Sequence, residues 1–474
     1  MKKVIATLLT IAMVIGLTSC GIVTVTENKY KGAKKIVLSE NSAKLDGKEI
    51  EEFDYTWHVD PSTAHDEVKD CPAEYYTGTK PETDAAAYIA HDIYYYPELD
   101  ETLFQKVKYD DEEEYVYYYT NEEYKDFIFA TLPILGNEIP TQMMHTEDEA
   151  YNNPVIHITQ PGTYILEGKW HGQILIDLGD TDETFSNEEA KITIVLNGVE
   201  VTCDCAPSFI AYSAYECDNT WEDKDSWSNE VDTSNAGVNV IIADDTENSF
   251  TGANVYRMLK AKYKDENDDS EIPVQKKARK TDGAFYSYVS MNINGDEANN
   301  GILNITSTTF EGLDSELHLT INGGVININA QDDGINVNED HVSVFAMNDG
   351  KLTIYAGLGA EGDGVDSNGY VVINGGTLYA IASPFSDNGI DSEDGTKVNG
   401  GTVFAAGSDM GGNSLNLYID GEQQYTNRDG FIAPNEGGEE PPEKPDGNPP
   451  EMPNGNGNPP EMPNGNGNPP SKPA

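Results

Sequence analysis

The sequence has few basic residues. Its 474 residues include 83 Asp and Glu but only 29 Lys and Arg, which gives a formal net charge of -54 at pH 7. Proteins bind nucleic acids and anionic lipid head groups mainly through Lys and Arg, so this charge balance predicts that neither is a partner. The hydrophobic fraction of 38% is still high enough for a chain of this length to bury a core.

Long apolar runs are also scarce, and the N-terminus has the only one. In MKKVIATLLTIAMVIGLTSCG, two lysines precede the apolar stretch and small residues come just before Cys20. This pattern predicts a secretory signal peptide over residues 1–19. LTSC resembles a bacterial lipobox, in which the cysteine carries lipid after cleavage; an ordinary signal peptide that contains a Cys is the alternative. No later stretch approaches the roughly 20 apolar residues of a transmembrane helix, so we expect a soluble body, held by lipid at the extracellular face of the bacterial membrane.

Cysteine is rare as well, with 5 in the chain. If Cys20 is lipidated, Cys71, Cys203, Cys205 and Cys217 remain, and in an oxidising compartment they predict disulfides with three possible pairings. A bridge between Cys203 and Cys217 would close a short loop and is the pairing that we expect. No second C-x-x-C and no nearby His pair supports the alternative, zinc ligation.

Composition divides the chain after the signal peptide into three parts. Residues 20–150 are rich in Tyr and acidic residues and lack a sustained period, so we expect an irregular N-terminal region. Residues 151–435 contain short β-branched runs between turn residues, which predict strands, and a basic, helix-capable insertion interrupts them at 254–280. Residues 436–474 lack aromatic residues and twice contain GNPPEMPNGN, which predicts a disordered tail rich in Pro, Gly and Asn.

A short motif around a glycine recurs in the strand-rich part. It reads DGAFYS at Gly283, EGLDS at Gly312, DGINV at Gly334, DGVDS at Gly364 and NGIDS at Gly389, in steps of 29, 22, 30 and 25 residues. A second marker, with sequences such as INGGV and VNGGT, follows in step. Strands that repeat without a helical pattern between them predict an all-β solenoid, a right-handed parallel β-helix whose corner Gly and Asn residues have positive φ.

Stacked repeats would align the residues that follow each glycine. We expect the aliphatic residue after the glycine to point into the core and the next residue to point outward, in one column: Asp314, Asn336, Asp366 and Asp391. Coils lie about 4.8 Å apart, where two carboxylates repel by about 3 kcal/mol at an effective dielectric of about 20. Calcium accepts several oxygen ligands and would relieve this repulsion, so the column predicts a Ca²⁺ cofactor. The alternative is a solvated turn repeated by duplication.

These motifs also carry a resemblance. With GTYILEG, ITIVLNGVEV, DDGINV, EGDGVDSNG, INGGTLYA and DNGIDS, residues 154–407 resemble the bacterial carbohydrate-binding domain family of cellulose- and pectin-binding parallel β-helix proteins, which are similar in architecture to polysaccharide lyases. The resemblance implies a calcium-binding, non-catalytic protein that binds pectin (polygalacturonate) or cellulose. The matching acidic corners are Asp332, Asp333, Asp363, Asp366, Asp387 and Asp391. The chain departs from the pattern where Asn336 and Asn388 replace acidic residues.

Two other functions stay open. A polysaccharide lyase needs a base beside the cation to remove a proton. Between residues 301 and 427, however, Lys351 and Lys397 are the only Lys or Arg residues, and neither adjoins an acidic corner. His318 and His341 are single and unsupported, so we expect solvated or strand-face histidines and no catalytic residue. The other alternative is a calcium-stabilised surface scaffold or adhesin.

Candidate glycan-binding side chains come from two places. Tyr355 and Tyr370 lie in or beside predicted strands and would stack on sugar rings, although aromatic residues in strands more often belong to the core. The basic insertion would attract a uronate polymer through four side chains: Lys276, Lys277, Arg279 and Lys280. The alternative is a surface loop whose cations offset nearby acids. We expect a monomer with polysaccharide as its partner and membrane contact through lipid only.

Overall fold

The structure is a computed structural model in which the described residues are almost entirely β. They are residues 29–40, 42–53, 83–91, 147–218, 228–253, 283–359, 362–383, 388–409 and 412–426, with the backbone of five short strands between residues 104 and 277. They form 33 strands and two short helices. No helix among them is long and apolar enough to cross a bilayer. The predicted signal peptide, Cys20, Cys71 and the tail lie outside the described residues.

Part of the N-terminal region that we expected to be irregular is regular. Its first strands are β1 (Lys34–Ser39), β2 (Ser42–Leu45), β3 (Lys48–Glu49), β4 (Glu52–Phe53) and β5 (Ala87–Ala90). β1 pairs in parallel with the strand Gly162–His171, and β1, β2 and β3 form an antiparallel meander. Ile36 and Leu38 are buried in the main core, so the body of the protein begins well before residue 151.

A separate five-stranded sheet combines the N-terminal region with the basic insertion. Its strands are β6 (Phe104–Lys108), β7 (Tyr115–Tyr119), β8 (Phe127–Ala130), β16 (Leu259–Lys262) and β17 (Val274–Lys277). We expected helix-capable sequence at 254–280, but β16 and β17 pair as antiparallel strands, and β16 also pairs with β8. Cross-strand pairing has therefore overridden the local helical preference. Lys276 and Lys277 lie on β17, whereas Arg279 and Lys280 lie outside the described residues.

The chain between residues 147 and 253 forms the first coils. Its elements are α1 (Glu147–Asn152), β9 (Val155–Ile158), β10 (Gly162–His171), β11 (Gln173–Asp177), α2 (Thr181–Phe185), β12 (Ile192–Thr202), β13 (Phe209–Ser213), β14 (Val238–Ile242) and β15 (Glu247–Gly252). The first half of the long β12 pairs with β14 and its second half pairs with β15, all in parallel. The single long strand β12 is thus matched, in the next coil, by two shorter strands.

The cysteines in these coils are free thiols. Cys203, Cys205 and Cys217 carry no disulfide, so the expected bridge between Cys203 and Cys217 is not formed in this structure. Cys203 lies beside Cys205 instead, because only Asp204 separates them, and the hydrogen bond between the two thiols, followed by burial, raises the pKa of Cys205. Cys217 lies beyond β13, where burial raises its pKa to about 12.

From residue 283 onward, four repeats supply three strands each in the same order, and a fifth supplies the last two. They are β18 (Phe285–Ser287), β19 (Met291–Gly295), β20 (Ile302–Ser307), β21 (Leu313–Ser315), β22 (Leu319–Ile321), β23 (Val325–Asn329), β24 (Ile335–Val337), β25 (Val344–Met347), β26 (Lys351–Tyr355), β27 (Val365–Ser367), β28 (Tyr370–Ile373), β29 (Thr377–Ile381), β30 (Gly395–Val398) and β31 (Thr402–Asp409). β32 (Gly412–Ile419) and β33 (Glu422–Thr426) add an antiparallel hairpin to β31.

The strands of successive repeats pair in parallel and in register, in three ladders. Ladder one contains β18, β21, β24 and β27, and a single bridge from Val365 to Ile390 extends it. Ladder two contains β19, β22, β25, β28 and β30. Ladder three contains β20, β23, β26, β29 and β31. Each repeat is therefore one three-stranded coil, as the repeat predicts; the right-handed winding stays a prediction.

The core consists of aligned apolar residues. On ladder one, Leu313, Ile335 and Val365 are fully buried, as predicted, and Ile390 packs against the same core while half-buried. Further down the stack, the rings of Phe209 and Phe285 lie parallel, with centroids 4.0 Å apart. Because identical positions stack on one another, like side chains fill the core in columns.

The corner between ladder two and ladder three is built from Asn and Gly. The side-chain amide of an Asn donates to the side-chain oxygen of the Asn one coil earlier, over 2.7 to 2.9 Å, along the series Asn294, Asn322, Asn348, Asn374 and Asn399. The glycine two residues after each of the last four has a φ of 73 to 95 degrees, at Gly324, Gly350, Gly376 and Gly401. The positive φ predicted for corner glycines is confirmed at these positions. The positive φ predicted for corner Asn residues is wrong for this Asn series, in which the glycine that follows takes the left-handed conformation instead.

A matched pair of glycines tests how much the close packing of the coils at this corner contributes to stability. Gly376 and Gly198 have φ values of 78 and 77 degrees, but a Cβ at Gly376 would lie 2.7 Å from the Gly350 carbonyl oxygen, whereas a Cβ at Gly198 would have no neighbour within 4 Å. Gly198→Ala should cost about 1–2 kcal/mol of unfolding free energy from backbone strain alone. Gly376→Ala should cost about 1–3 kcal/mol more, because the coils must separate. Urea unfolding measures both; equal losses would contradict close packing at the corner.

Candidate functional site

The acidic motifs lie where the chain enters ladder one. Two positions recur in each motif: the residue before the glycine, here called the entry position, and the second residue after it, here called the strand position. The entry column is Glu311, Asp333, Asp363 and Asn388, and the strand column is Asp314, Asn336, Asp366 and Asp391. Register pairing aligns Asp314 with Asn336 and Asn336 with Asp366. The backbone aligns the entry column, since the N–H of each motif glycine donates to the carbonyl of the next entry residue, as at Gly334 and Asp363 over 2.9 Å.

Several members of the two columns are buried. We expected the strand column to point outward from the core; Asp314 is nevertheless fully buried and Asn336 is only 7% exposed. Glu311 and Asp363 in the entry column are buried too, while Asp366 and Asp391 are half-buried. These side chains point away from the apolar core but remain largely covered. A freely solvated turn is therefore an incorrect description of Asp314, Asp363 and Asn336.

Three of the predicted ligands meet at one point. Asp363, Asp366 and Asp391 each contribute a carboxylate oxygen, and these three oxygens lie within 4.8 Å of one another. Two unit charges at this separation repel by about 3 kcal/mol at an effective dielectric of about 20. The carboxylate cluster, as these three residues are called below, is thus a place where a cation would lower the free energy of the folded protein.

Hydrogen bonds from the backbone orient the entry column. The N–H of Asp363 donates to Oδ1 of Asp333 over 2.6 Å, and the N–H of Asn388 donates to Oδ1 of Asp363. Each carboxylate therefore uses one oxygen to hold the next coil in place. This arrangement fixes the side chains of the entry column before any ligand binds.

The charge of Asp333 is poorly compensated. Burial of the Asp333 carboxyl group away from water raises the pKa of Asp333 well above the usual range. The negative charges of Asp366, Asp332 and Glu311 raise this pKa further. The hydrogen bond from the Asp363 N–H opposes this shift only in part. Among the described residues, no positively charged side chain contributes to the pKa shift of Asp333.

Two buried amide oxygens complete the set of possible ligands. Oδ1 of Asn336 and Oδ1 of Asn388 are buried and accept no hydrogen bond from any residue that the structure describes. Buried polar atoms normally have a partner, so these two oxygens need an explanation. Amide and carboxylate oxygens are the ligands of hard cations such as Ca²⁺, whereas structural zinc prefers Cys and His. The donor set therefore fits calcium, and the Asn residues that depart from the acidic pattern are compatible with it.

Other predicted metal ligands lie around the carboxylate cluster or outside the described residues. Asp332 lies close enough to raise the pKa of Asp333. Asp314 accepts a hydrogen bond from the Asn338 side chain over 2.6 Å and is not part of the cluster. Asp387 lies outside the described residues. Glu311 was not among the predicted ligands, although its place before Gly312 in EGLDS is the same as that of Asp333 before Gly334.

The predicted aromatic ligands are not neighbours in one ladder. Tyr355 lies on ladder three with 48% of its surface exposed, whereas Tyr370 lies half-buried on ladder two. Lys351 and Lys397 lie on ladder three and ladder two respectively, so neither belongs to the ladder of the carboxylate cluster.

The histidines are part of the folded framework. His318 is fully buried, contrary to a solvated position; its Nε2 lies 3.1 Å from Oδ2 of Asp218, and its Nδ1 accepts the Val344 N–H over 3.1 Å. His341 is exposed, and its Nδ1 lies 3.1 Å from the Asp394 carboxylate. Both rings are therefore held by neighbouring coils or loops.

Comparisons with known proteins cover the same coils. A family model described as a carbohydrate-binding domain-containing protein matches residues 224–433, which include both acidic columns. Among solved structures, a polysaccharide lyase-like protein from C. thermocellum, solved as a gadolinium derivative, is similar at 23% sequence identity. The match covers 54% of this chain and 85% of that one, with a TM-score of 0.32. No curated protein matches this chain.

Replacing Asp333 tests the excess of negative charge. Asp333→Asn keeps an oxygen that can accept the Asp363 N–H but removes a carboxyl group whose ionisation the fold disfavours, so in the presence of chelator at neutral pH it should raise the free energy of unfolding by about 1–3 kcal/mol. Asp340→Asn, at an exposed aspartate of the same repeat, should change it by less than about 0.5 kcal/mol. Thermal and urea unfolding measure both. A clear destabilisation by Asp333→Asn in chelator would contradict the electrostatic interpretation.

Proposed function

We propose that this protein is a non-catalytic, calcium-dependent polysaccharide-binding lipoprotein of the bacterial cell surface. The observation that carries the proposal is that the carbohydrate-binding family model matches residues 224–433, the same coils that bring Asp363, Asp366 and Asp391 together. In this proposal the coils wind as a right-handed parallel β-helix, and lipid on Cys20 holds the protein at the membrane. The repeat and the N-terminal signal support these two parts.

The carboxylate cluster would hold the cation. Asp363, Asp366 and Asp391 would supply carboxylate oxygens, and Asn388, whose side-chain oxygen has no hydrogen-bond partner among the described residues, would supply an amide oxygen. When bound, calcium would supply positive charge and coordination positions for oxygen atoms of a sugar. The backbone hydrogen bonds to Asp333 and Asp363 keep the carboxylates oriented without it.

The proposed ligand is a plant cell-wall polysaccharide, either polygalacturonate or cellulose. A chain with a net charge of -54 repels a uronate polymer unless a cation or a basic surface intervenes. The carboxylate cluster would bind the cation. The basic surface would come from the insertion, with Lys276, Lys277, Arg279 and Lys280. Tyr355, whose ring is half exposed, is available for stacking on a sugar.

Binding without cleavage fits the position of the basic residues better than a lyase does. A lyase needs its base next to the cation that neutralises the uronate. Lys351 and Lys397 lie on ladders three and two, whereas the carboxylate cluster lies on ladder one. A calcium-stabilised scaffold is the second candidate, because the carboxylate cluster alone would explain a structural ion.

Elemental analysis tests the cation site. The double variant Asp363→Asn/Asp366→Asn keeps the shape of the site and removes two charges, so bound calcium should fall by about one ion per chain. Excess calcium should stabilise the unmodified protein by about 2.7 kcal/mol at 100 times its dissociation constant. The exposed pair Asp340→Asn/Asp420→Asn is the control and should change neither value. An unaltered ion count in the first variant would place the site elsewhere.

Retention on immobilised polymers tests the ligand. The protein should be retained on polygalacturonate in calcium and lost in chelator, and retention on cellulose should be measured in parallel. Replacing Lys276, Lys277, Arg279 and Lys280 by Gln should weaken binding to polygalacturonate at low ionic strength, since exposed charges are screened by salt beyond about 10 Å at 0.1 M. Binding to cellulose should hardly change. Equal losses on both polymers would indicate a damaged fold, and retention on neither would favour the scaffold.

A further inference from the structure

Exposed hydrophobic side chains gather on one face of the protein. Among the described residues, six large hydrophobic side chains are exposed: Tyr151, Tyr355, Leu358, Tyr379, Ile419 and Tyr425. Four of these six lie on the outer face of ladder three and its terminal hairpin: Tyr355, Tyr379, Ile419 and Tyr425. Scattered exposed hydrophobic residues are ordinary, but a group on one surface indicates an interaction site.

Strand register places the aromatic residues in a line. Successive partners on β26, β29, β31, β32 and β33 are Thr353, Tyr379, Phe404, Leu417 and Tyr425, here called the aromatic row. The row points outward, because the adjacent residues Leu378 and Val403 are fully buried. The rings of Tyr379 and Phe404 have centroids 6.3 Å apart and are inclined by 47 degrees. Tyr379 and Tyr425 lie three strands apart, a span of about 14 Å.

The surface around the aromatic row has little charge. The adjacent outward row, formed by Asn329, Tyr355, Ile381, Ala406 and Leu415, contains no charged residue, and neither does the aromatic row itself. The outward row on the other side contains two, Lys351 and Glu422, at opposite ends. In a chain with 83 acidic residues, this neutral area contrasts with the acidic columns on ladder one.

We propose that the aromatic row binds a neutral, extended glycan chain. Pyranose rings have apolar C–H faces that stack on aromatic side chains, and side chains in one row across successive strands can contact successive sugars of an extended polymer. A polyuronate carries a charge on every sugar, which this surface does not complement and which the net charge of -54 repels. The inference rests on the proposed polysaccharide binding and deepens it: neutral glycans bind on ladder three, whereas uronates depend on the carboxylate cluster of ladder one.

The experiment compares two polymers with one pair of variants in the full chain. Tyr379→Ala/Tyr425→Ala should lower the affinity for hydroxyethylcellulose, a soluble neutral glucan, by about tenfold or more in affinity electrophoresis. Its affinity for polygalacturonate in calcium should stay within about twofold, which also reports that the fold is intact. Tyr379→Phe/Tyr425→Phe keeps the rings and should retain binding. Tyr151→Ala removes an exposed tyrosine on α1 and is the matched control.

Each outcome decides one point. Unchanged affinity of the alanine variant for hydroxyethylcellulose would overturn the assignment of the aromatic row. Binding of the unmodified protein to polygalacturonate but not to hydroxyethylcellulose would overturn this inference and leave the proposed function standing. Binding to neither polymer would overturn both. Sedimentation that shows a dimer of the unmodified protein, lost in the alanine variant, without binding to hydroxyethylcellulose, would assign the row to a contact between two copies.

Discussion

Parallel, in-register pairing between successive coils is the constraint on which the structure depends. Each coil adds one strand to each of three ladders, and its hydrogen bonds place the same motif position directly above its equivalent in the previous coil. The spacing between such positions is about 4.8 Å. Asn side chains reinforce this spacing by bonding to one another at the corner, where glycines with positive φ allow the backbones to approach closely. A residue type that recurs in the sequence therefore becomes a column in the structure.

The same constraint has opposite consequences for different side chains. Aligned Leu, Ile and Val residues bury one another and stabilise the core. Aligned carboxylates lose hydration when they are covered and also repel one another, and both effects, burial first, raise the pKa of Asp333. On ladder three, Tyr379 and Phe404 are aligned in an uncharged row, in which Tyr379 is exposed and Phe404 is half-buried. Because the acidic columns lie on ladder one and the aromatic row lies on ladder three, they occupy different strands of the same coils and belong to different sheets.

Much of the central architecture could be predicted from the sequence, because successive coils repeat the same motifs of apolar residues, Gly and Asn. The inward position of Leu313, Ile335 and Val365 follows from alternation along a strand, and the corner glycines follow from their place after an Asn. The N-terminal region and the insertion contain no copy of the repeated motif from which their strand pairing could be predicted. The pairing of β1 with β10 and of β16 with β8 therefore depends on contacts between distant parts of the chain, which local patterns do not encode.

The spacing of the motif along the chain is enough to specify which residues share a column, because it aligns Asp366 with Asp391 and Asn336 with Asp366. How each column is covered, and which of its members meet, depends on the packing of turns from different coils. Alternation distinguishes inside from outside, but the exposure of an outside residue depends on the turns packed over it, and so Asp314 is buried while Tyr379 is not. The meeting of Asp363 with Asp366 and Asp391 likewise depends on how the turns before two successive coils approach in space, a distance that spacing along the chain does not specify.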